Sequence, residues 1–470
     1  MLGRNLESEQ GNEDQKDKTC FWRETLWAFI ISSMTFAALF PFSLAAQTTS
    51  SGALAPAQAA QFGTGVQTPL RFSGESAPVN QLSLSMGAST FYDDNVLARN
   101  TQRLSDEALS FDSHLGIVRQ TEHVTINFDY LPFFLLYRQI DQYDRLNHAA
   151  NLSLTYRLTS RVDLGLHDAF SYQNGVYPSL TGQQILSGPP SPTTLNQMTF
   201  SPTIRTLTNM PGLDLTFITS QNTSLTFSGG YNQRKFGNQA GVGQSLYNSR
   251  GVNGGLRFQY RVTEHTNFGF LLLHQDTTYQ GGQAFGKQQR SQIESVILSV
   301  GSRLSPTVTA TVFGGPQYIH TFGQSSLGGS IPGVFEGSGG GSITKQVGKT
   351  ALNLSLQRSV SDSGGLYTSV INNNATLGVR RRLVGRWDAA LSGGGAQADT
   401  SLFQLANART DSLTGGIDFS RPLRGTSVFH IRYDTIHELS KGTLAAFPGF
   451  DRNQVTIGFD YGIKSIPLGQ

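Results

Sequence analysis

The chain has 470 residues, a formal charge of +3, 38% hydrophobic residues and a single cysteine. Its mean hydropathy of −0.22 is too polar for a bundle of membrane helices, and Cys20 alone cannot build an intrachain disulfide framework. Setting aside the four basic and six acidic residues before Ala46 leaves 31 basic and 26 acidic groups, or +5. So small an excess excludes a dedicated nucleic-acid binder.

In chain order, the first feature is the one long apolar run, Leu26 to Leu44, preceded by Lys16, Lys18 and Arg23 and followed by Ser43-Leu44-Ala45. Basic flank, apolar core and small-residue exit predict a signal peptide over residues 1–45, with cleavage before Ala46. An uncleaved inner-membrane anchor is the competing reading, since the run is nearly long enough to span. Cys20 precedes the core, so it is expected to leave with the leader. Residues 46–80 are small and polar without periodicity, and predict a disordered periplasmic lead-in.

From Gln81 the register changes. Leu82, Leu84, Met86 and Ala88 alternate with Ser83, Ser85, Gly87 and Ser89, the period of two that marks a strand. Leu109, Phe111, Leu115 and Ile117 follow, then a tight reversal at Gln120 to Glu122, then Val124, Ile126, Phe128 and Tyr130 against Thr125, Asn127 and Asp129. The same unit recurs to the end. Tight reversals fall at Thr159-Ser160, Ser220-Gln221-Asn222, Glu264, Ser305, Gly348, Gly385 and Pro422. Between them lie long polar connections, among them Gln173–Met210, Gly237–Asn248, Gln280–Gln288, Gly323–Gly337 and Leu439–Asn453. Nine such loops and eight tight turns give about eighteen strands, with sixteen the next choice. The predicted fold is all-β: a closed antiparallel transmembrane β-barrel over residues 81–470, with both ends on the periplasmic side.

Aromatic residues near strand ends (Phe91, Tyr92, Tyr130, Tyr137, Tyr172, Tyr231, Tyr260, Tyr318, Trp387, Phe419, Tyr433 and Tyr461) suit interfacial girdles. Ordinary strand propensity is the plainer reading. A soluble propeller is disfavoured because no blade signature repeats, and a sandwich because so many strands are long.

If the apolar face meets lipid, the other face lines the interior. There the alternation places Asp129, Arg157, Asp163, His167, Arg257, Arg261, Asp418, His430, Arg432, Asp434 and Asp460. Charges of both signs suit a hydrated channel for polar solutes. They equally suit a filled interior cross-braced by ion pairs. The Gln173–Met210 loop, stiffened by Pro189-Pro190 and Pro192, is long enough to plug or narrow the bore.

No catalytic constellation assembles. His167 and Asp168 are adjacent in a strand and point to opposite faces, and neither they nor Asp434, His437 and Glu438 sit beside a nucleophile. Asp93-Asp94-Asn95 lacks the spaced oxygens of a calcium loop and reads as turn capping. The glycine run Gly337–Gly341 joins no strand to a helix, so it is no phosphate cradle. No cofactor and no metal are expected.

The segments FYDDNVLARN, with Tyr92, Asp93, Asp94 and Asn95, and LSFDSHLGIVRQTEHVTINFDY resemble the β-barrel porin family found with exopolysaccharide biosynthesis clusters. TSLTFSGGYNQRKF and the closing VTIGFDYGIKS have the same flavour. The resemblance implies an outer-membrane protein whose partners are membrane lipid, the barrel-assembly machinery and polysaccharide or its export complex. A non-conducting scaffold or adhesion barrel acting through its long loops is the alternative. One departure is the C-terminus: Tyr461 is the last aromatic, ahead of Lys464 to Gln470, whereas many such barrels end on an aromatic residue.

Overall fold

The computed structural model describes residues 80–467 except 102, 141–143, 175–204, 238–246, 281–288, 323–332, 362–369, 400–407, 424–425 and 443–448. The expected leader, most of the lead-in and the expected plug segment 175–204 lie outside the described residues.

The strands are β1 (Gln81–Asp93), β2 (Asp106–Gln120), β3 (Val124–Tyr137), β4 (Arg145–Thr159), β5 (Val162–Asn174), β6 (Arg205–Asn209), β7 (Gly212–Ile218), β8 (Thr223–Phe236), β9 (Asn248–Arg261) and β10 (Thr266–Gln280). They continue with β11 (Gln289–Ser305), β12 (Val308–Phe322), β13 (Val334–Val347), β14 (Thr350–Ser361), β15 (Val370–Arg382), β16 (Asp388–Asp399), β17 (Ala408–Pro422), β18 (Ser427–Gly442) and β19 (Phe450–Pro467). Each pairs antiparallel with its sequence neighbour, and β1 pairs with β19 as well as β2, so the sheet closes on itself. Segments β6 and β7 share the same two neighbours, β5 and β8, in unbroken register. They are one strand, and the wall has eighteen positions.

Pro211 causes the interruption. Its carbonyl still accepts from the Tyr231 N–H (2.9 Å), but it has no N–H to return to the ladder. The sequence reading placed this stretch in a loop. The strand resumes at Arg205, because one missing ladder bond does not outweigh those on either side. Two other loops are also shorter than expected: β13 begins at Val334, and β18 and β19 reach Gly442 and Phe450. Ile466 and Pro467 pair with Leu82 and Gln81, so the segment after Tyr461 belongs to the closing strand and is not a tail.

All eight short connections fall where the tight reversals were expected. Gly348 (φ 55°) and Gly385 (φ 72°) occupy the left-handed region in two of them, where a side chain would be strained.

Residues paired across the ladder share a face, so the alternation can be followed around the wall. Met86, Leu109, Phe134, Phe227, Val252, Leu298, Val312, Leu354, Leu377, Leu391, Ile417, Tyr433 and Ile457 are exposed on the outer face. That continuous apolar band is what hydrocarbon requires, and the strands of 12 to 18 residues around it exceed the 9–11 that cross a bilayer at a tilt. Tyr130 and His148 stack on the same outer face (centroids 6.0 Å apart), and Arg421 lies over Trp387 at the short-turn rim (5.7 Å). Phe91 and Tyr137 depart from the girdle expectation. Strand parity turns both inward, where they meet edge to face at 6.3 Å in a buried cluster with Val96, Phe133 and Leu135.

The wall forks at β13. This strand follows β12 up to Val334 but leaves β14 above the Gly339–Arg358 pair. Beyond that point Val360 and Ile371, on the outer face of β14 and β15, pack with Ile293 and Ile319 from the inner face of β11 and β12. The Gln317 side chain caps the freed Val360 N–H (3.4 Å) and also reaches Ser295 (2.9 Å). The ends of β14 and β15 therefore lean inward. The Gly337–Gly341 run lies at the fork, inside a strand.

Candidate functional site

The functional surface of such a barrel is its inner face. Ladder register places all eleven sequence-selected residues on that face, in two groups. The first gathers Asp418, His430, Arg432, Asp434 and Asp460 from β17–β19, with Asp129 across the seam on β3. Arg432 donates to Asp434 at 2.6 Å, and His430 Nδ1 lies 3.2 Å from Asp460. Arg432 is only 4% exposed, so this group is packed into the wall rather than spread in solvent. A buried guanidinium needs such a partner, because an unpaired one would carry a desolvation penalty of several kcal/mol.

Sequence reasoning missed Asp112 and His114 of β2, which join this group. His114 Nε2 is 2.8 Å from Asp129 Oδ1. Gly87 lies between Asp112 and Asp460: a Cβ there would come within 2.5 Å of one carboxylate and 2.6 Å of the other. Only glycine lets both acids approach the same point. The alternation did carry the signal, since Asp112 and His114 are in phase with Ser110.

The second group holds Arg157, Asp163, His167 and Arg257, with Asp214 added by the structure. Arg157 and Asp163 face each other across the β4–β5 ladder at 3.6 Å, and His167 Nδ1 is 3.4 Å from Asp214. Arg257 adds its charge beside Asp214. Asp214, set between Leu213 and Leu215, was legible as an inward residue and was overlooked. Arg261 stands apart at the short-turn rim. Asp168 lies on the opposite face from His167, at the level of Pro211.

The Asp93-Asp94-Asn95 motif does more than cap a turn. Asp93 Oδ1 does accept the Asn95 N–H (3.0 Å). The same carboxylate also holds Arg452 of β19 through its Nε (3.0 and 2.9 Å), both side chains being buried. Asp94 accepts from the backbone and amide of Asn453 (2.6 and 2.7 Å), and Asn95 donates to the Asp451 carbonyl (2.7 Å). The motif ties the first strand to the last where the barrel closes. Among the described residues no cluster of three metal-ligating side chains exists.

Between its rims, the inner face of β10–β16 is different. Arg303, Arg380, Arg382 and Asp388 mark its short-turn end and Glu336 its loop end. The rest, among the described residues, is Ser, Thr, Asn, Gln, Gly and apolar side chains. Leu271, Leu273, Ile297 and Phe313 form an apolar patch there. Asn372, Asn374, Thr376 and Gln317 are buried polar groups on the same wall.

A closed, even-numbered antiparallel wall, apolar outside and charged within, is a transmembrane β-barrel of the outer-membrane porin type. No protein-family model and no curated protein matches the sequence. Among solved structures, the Pseudomonas aeruginosa outer-membrane protein OpdK is similar at 11% identity over 81% of this chain and 99% of its own, with a TM-score of 0.41. P. aeruginosa OccK11 (OpdR) matches at 14% identity over 82% and 96%, TM-score 0.41. P. aeruginosa OccK2 (OpdF), solved in complex with glucuronate, matches at 13% identity over 82% and 98%, TM-score 0.43. These likenesses are loose.

Proposed function

We propose that the protein is a passive outer-membrane channel for polar solutes. The observation that carries this reading is the closed eighteen-position wall with two ionised groups on its inner face, since a barrel of this size encloses an aqueous bore. Solute passes along the charged side, where Arg432, Asp434, His430 and Asp460 keep water and ions in place of a dry core. No step of covalent chemistry is assigned to these residues.

We propose further that the solute is a polysaccharide or its fragments. Two features support this: the resemblance at Tyr92–Asn95 to the exopolysaccharide-associated porins, and the amide- and hydroxyl-rich wall of β10–β16, which offers hydrogen bonds without charge. Insertion through the barrel-assembly machinery after removal of the leader completes the proposal.

Planar bilayers test the channel. Folded protein should give stepwise conductance, and neutral oligosaccharides should interrupt the current in a concentration-dependent way. Silent bilayers, with folding verified by heat-modifiable gel mobility, would contradict the channel and favour a scaffold. Conductance indifferent to oligosaccharides would remove the polysaccharide assignment alone.

A further inference from the structure

The fork at β13 leaves a groove of about 570 Å³. Strand parity puts its side-chain lining (Leu356, Arg358, Asn373, Ala375, Gln397 and Arg409) on the outer face of β14–β17. The groove straddles the edge of the apolar band on the long-loop side. Below the edge are Leu356, Ala375 and Gly395, level with the exposed Leu413. Above it a polar row crosses four strands.

That row is built. Arg358 donates to Asn373 Oδ1 (3.0 Å), to Glu336 Oε2 (3.0 Å) and to the Gly337 carbonyl (3.3 Å). Gln397 follows Asn373, with its amide oxygen turned to accept from Arg409 (2.9 Å). Arg409 Nε in turn reaches Asp411 (2.8 Å). Both guanidinium side chains remain about half exposed, at 44% and 50%, and each has five N–H groups to distribute. Exposed ion pairs like these hold weakly, so Glu336 and Asp411 orient the arginines without closing them to a ligand.

The floor is vacant for a reason other than sheet sterics. A Cβ built on Gly395 would meet nothing nearer than the Ser412 carbonyl at 3.8 Å, and one on Gly393 nothing nearer than 3.8 Å. The sheet would accept side chains at both positions, yet the chain leaves the space open.

We infer that this groove binds a phosphorylated glycolipid of the outer leaflet, one whose headgroup is a disaccharide with a phosphate at each end. The inference rests on the outer-membrane reading, which turns the long-loop side toward that leaflet. Arg358 and Arg409 stand three strand spacings apart, about 14 Å at ~4.8 Å per strand, a span that two linked hexoses and their terminal phosphates cover. Each arginine then takes one phosphate, the geometry in which guanidinium groups bind best. Asn373 and Gln397, between them, meet the sugar hydroxyls. An acyl chain runs down over Gly395 and Ala375 beside Leu356, in continuity with the apolar band.

Native mass spectrometry of the full-length protein, extracted from its outer membrane in mild detergent, tests this. The unaltered chain should retain one phosphorylated glycolipid. The double variant Arg358→Gln/Arg409→Gln should retain about tenfold less, the worth of one charge-assisted hydrogen bond. Gly395→Leu, which fills the floor, should lose it too, while Arg290→Gln on the outer face of β11 should not. A second measurement uses the unaltered chain alone: chemically dephosphorylated glycolipid should bind at least about tenfold more weakly than the intact lipid. Equal retention in all variants, equal binding of the dephosphorylated lipid, a phospholipid in place of the glycolipid, or the mass of a second copy of this chain would each overturn the assignment. Bilayer conductance of the same preparations separates the two readings. Conductance without glycolipid sinks the groove alone, and bound glycolipid without conductance sinks the channel alone.

Discussion

Two arcs of the same wall differ in what they do with their inward side chains. From β17 through the seam to β5, inward positions carry charges that pair across neighbouring strands, as Arg432 does with Asp434 and His114 with Asp129. From β10 to β16, apart from the rims, they carry amides, hydroxyls and aliphatic groups, and Ile297 and Ile319 are almost wholly buried, at 2% and 1% exposure. The strand architecture is identical in both arcs. The difference shows that ladder hydrogen bonds and the outer apolar band hold the wall, leaving the inner face free to be wet on one side and dry on the other.

The comparison breaks first at the seam, where the charged arc is structural. Arg452→Met should destabilise the barrel by about 3–5 kcal/mol, because Asp93 would be left buried without its partner. Denaturant unfolding followed by gel mobility reads this, and a loss below about 1 kcal/mol would show that the pair is solvated. A charge on the outer band comes next. Ile457→Arg should cost about 2–4 kcal/mol near the bilayer midplane, whereas Thr456→Arg, one residue away and inward, should cost far less; equal costs would erase the distinction between faces. Trimming the dry arc is smaller. Ile297→Val should cost about 0.5–1.5 kcal/mol in the same unfolding assay and leave ion selectivity unchanged. Asp418→Asn with Asp460→Asn, in the wet arc, should instead shift reversal potentials toward anion preference with little effect on stability. Selectivity that followed Ile297 and ignored the two aspartates would reverse the assignment of wet and dry.

Much of this was legible in the sequence because alternation is a local signal. A period of two fixes the face of every residue, so the inward set was readable from Asp129 to Asp460, and each tight turn announced itself by a short polar break in the pattern. Contacts between distant segments were not legible. Asp93 and Arg452 are 359 residues apart, and nothing in either neighbourhood names the other. Pro211 misled for a physical reason: a strand tolerates one missing N–H when both neighbours continue in register, but the residue itself reads as a break. The fork at β13 was hidden because glycine runs look like loops, and here they let the wall part. Phe91 and Tyr137 were misplaced because aromatic residues near strand ends suit either face, and only parity decides.

Cysteine scanning along β19 from Val455 to Phe459, in liposomes, tests the central claim most directly. Water-soluble thiol reagent should label Thr456→Cys and Gly458→Cys, while a lipid-borne quencher should reach probes at Val455→Cys, Ile457→Cys and Phe459→Cys. The opposite phase, or uniform labelling at all five positions, would contradict a closed wall with water inside and hydrocarbon outside.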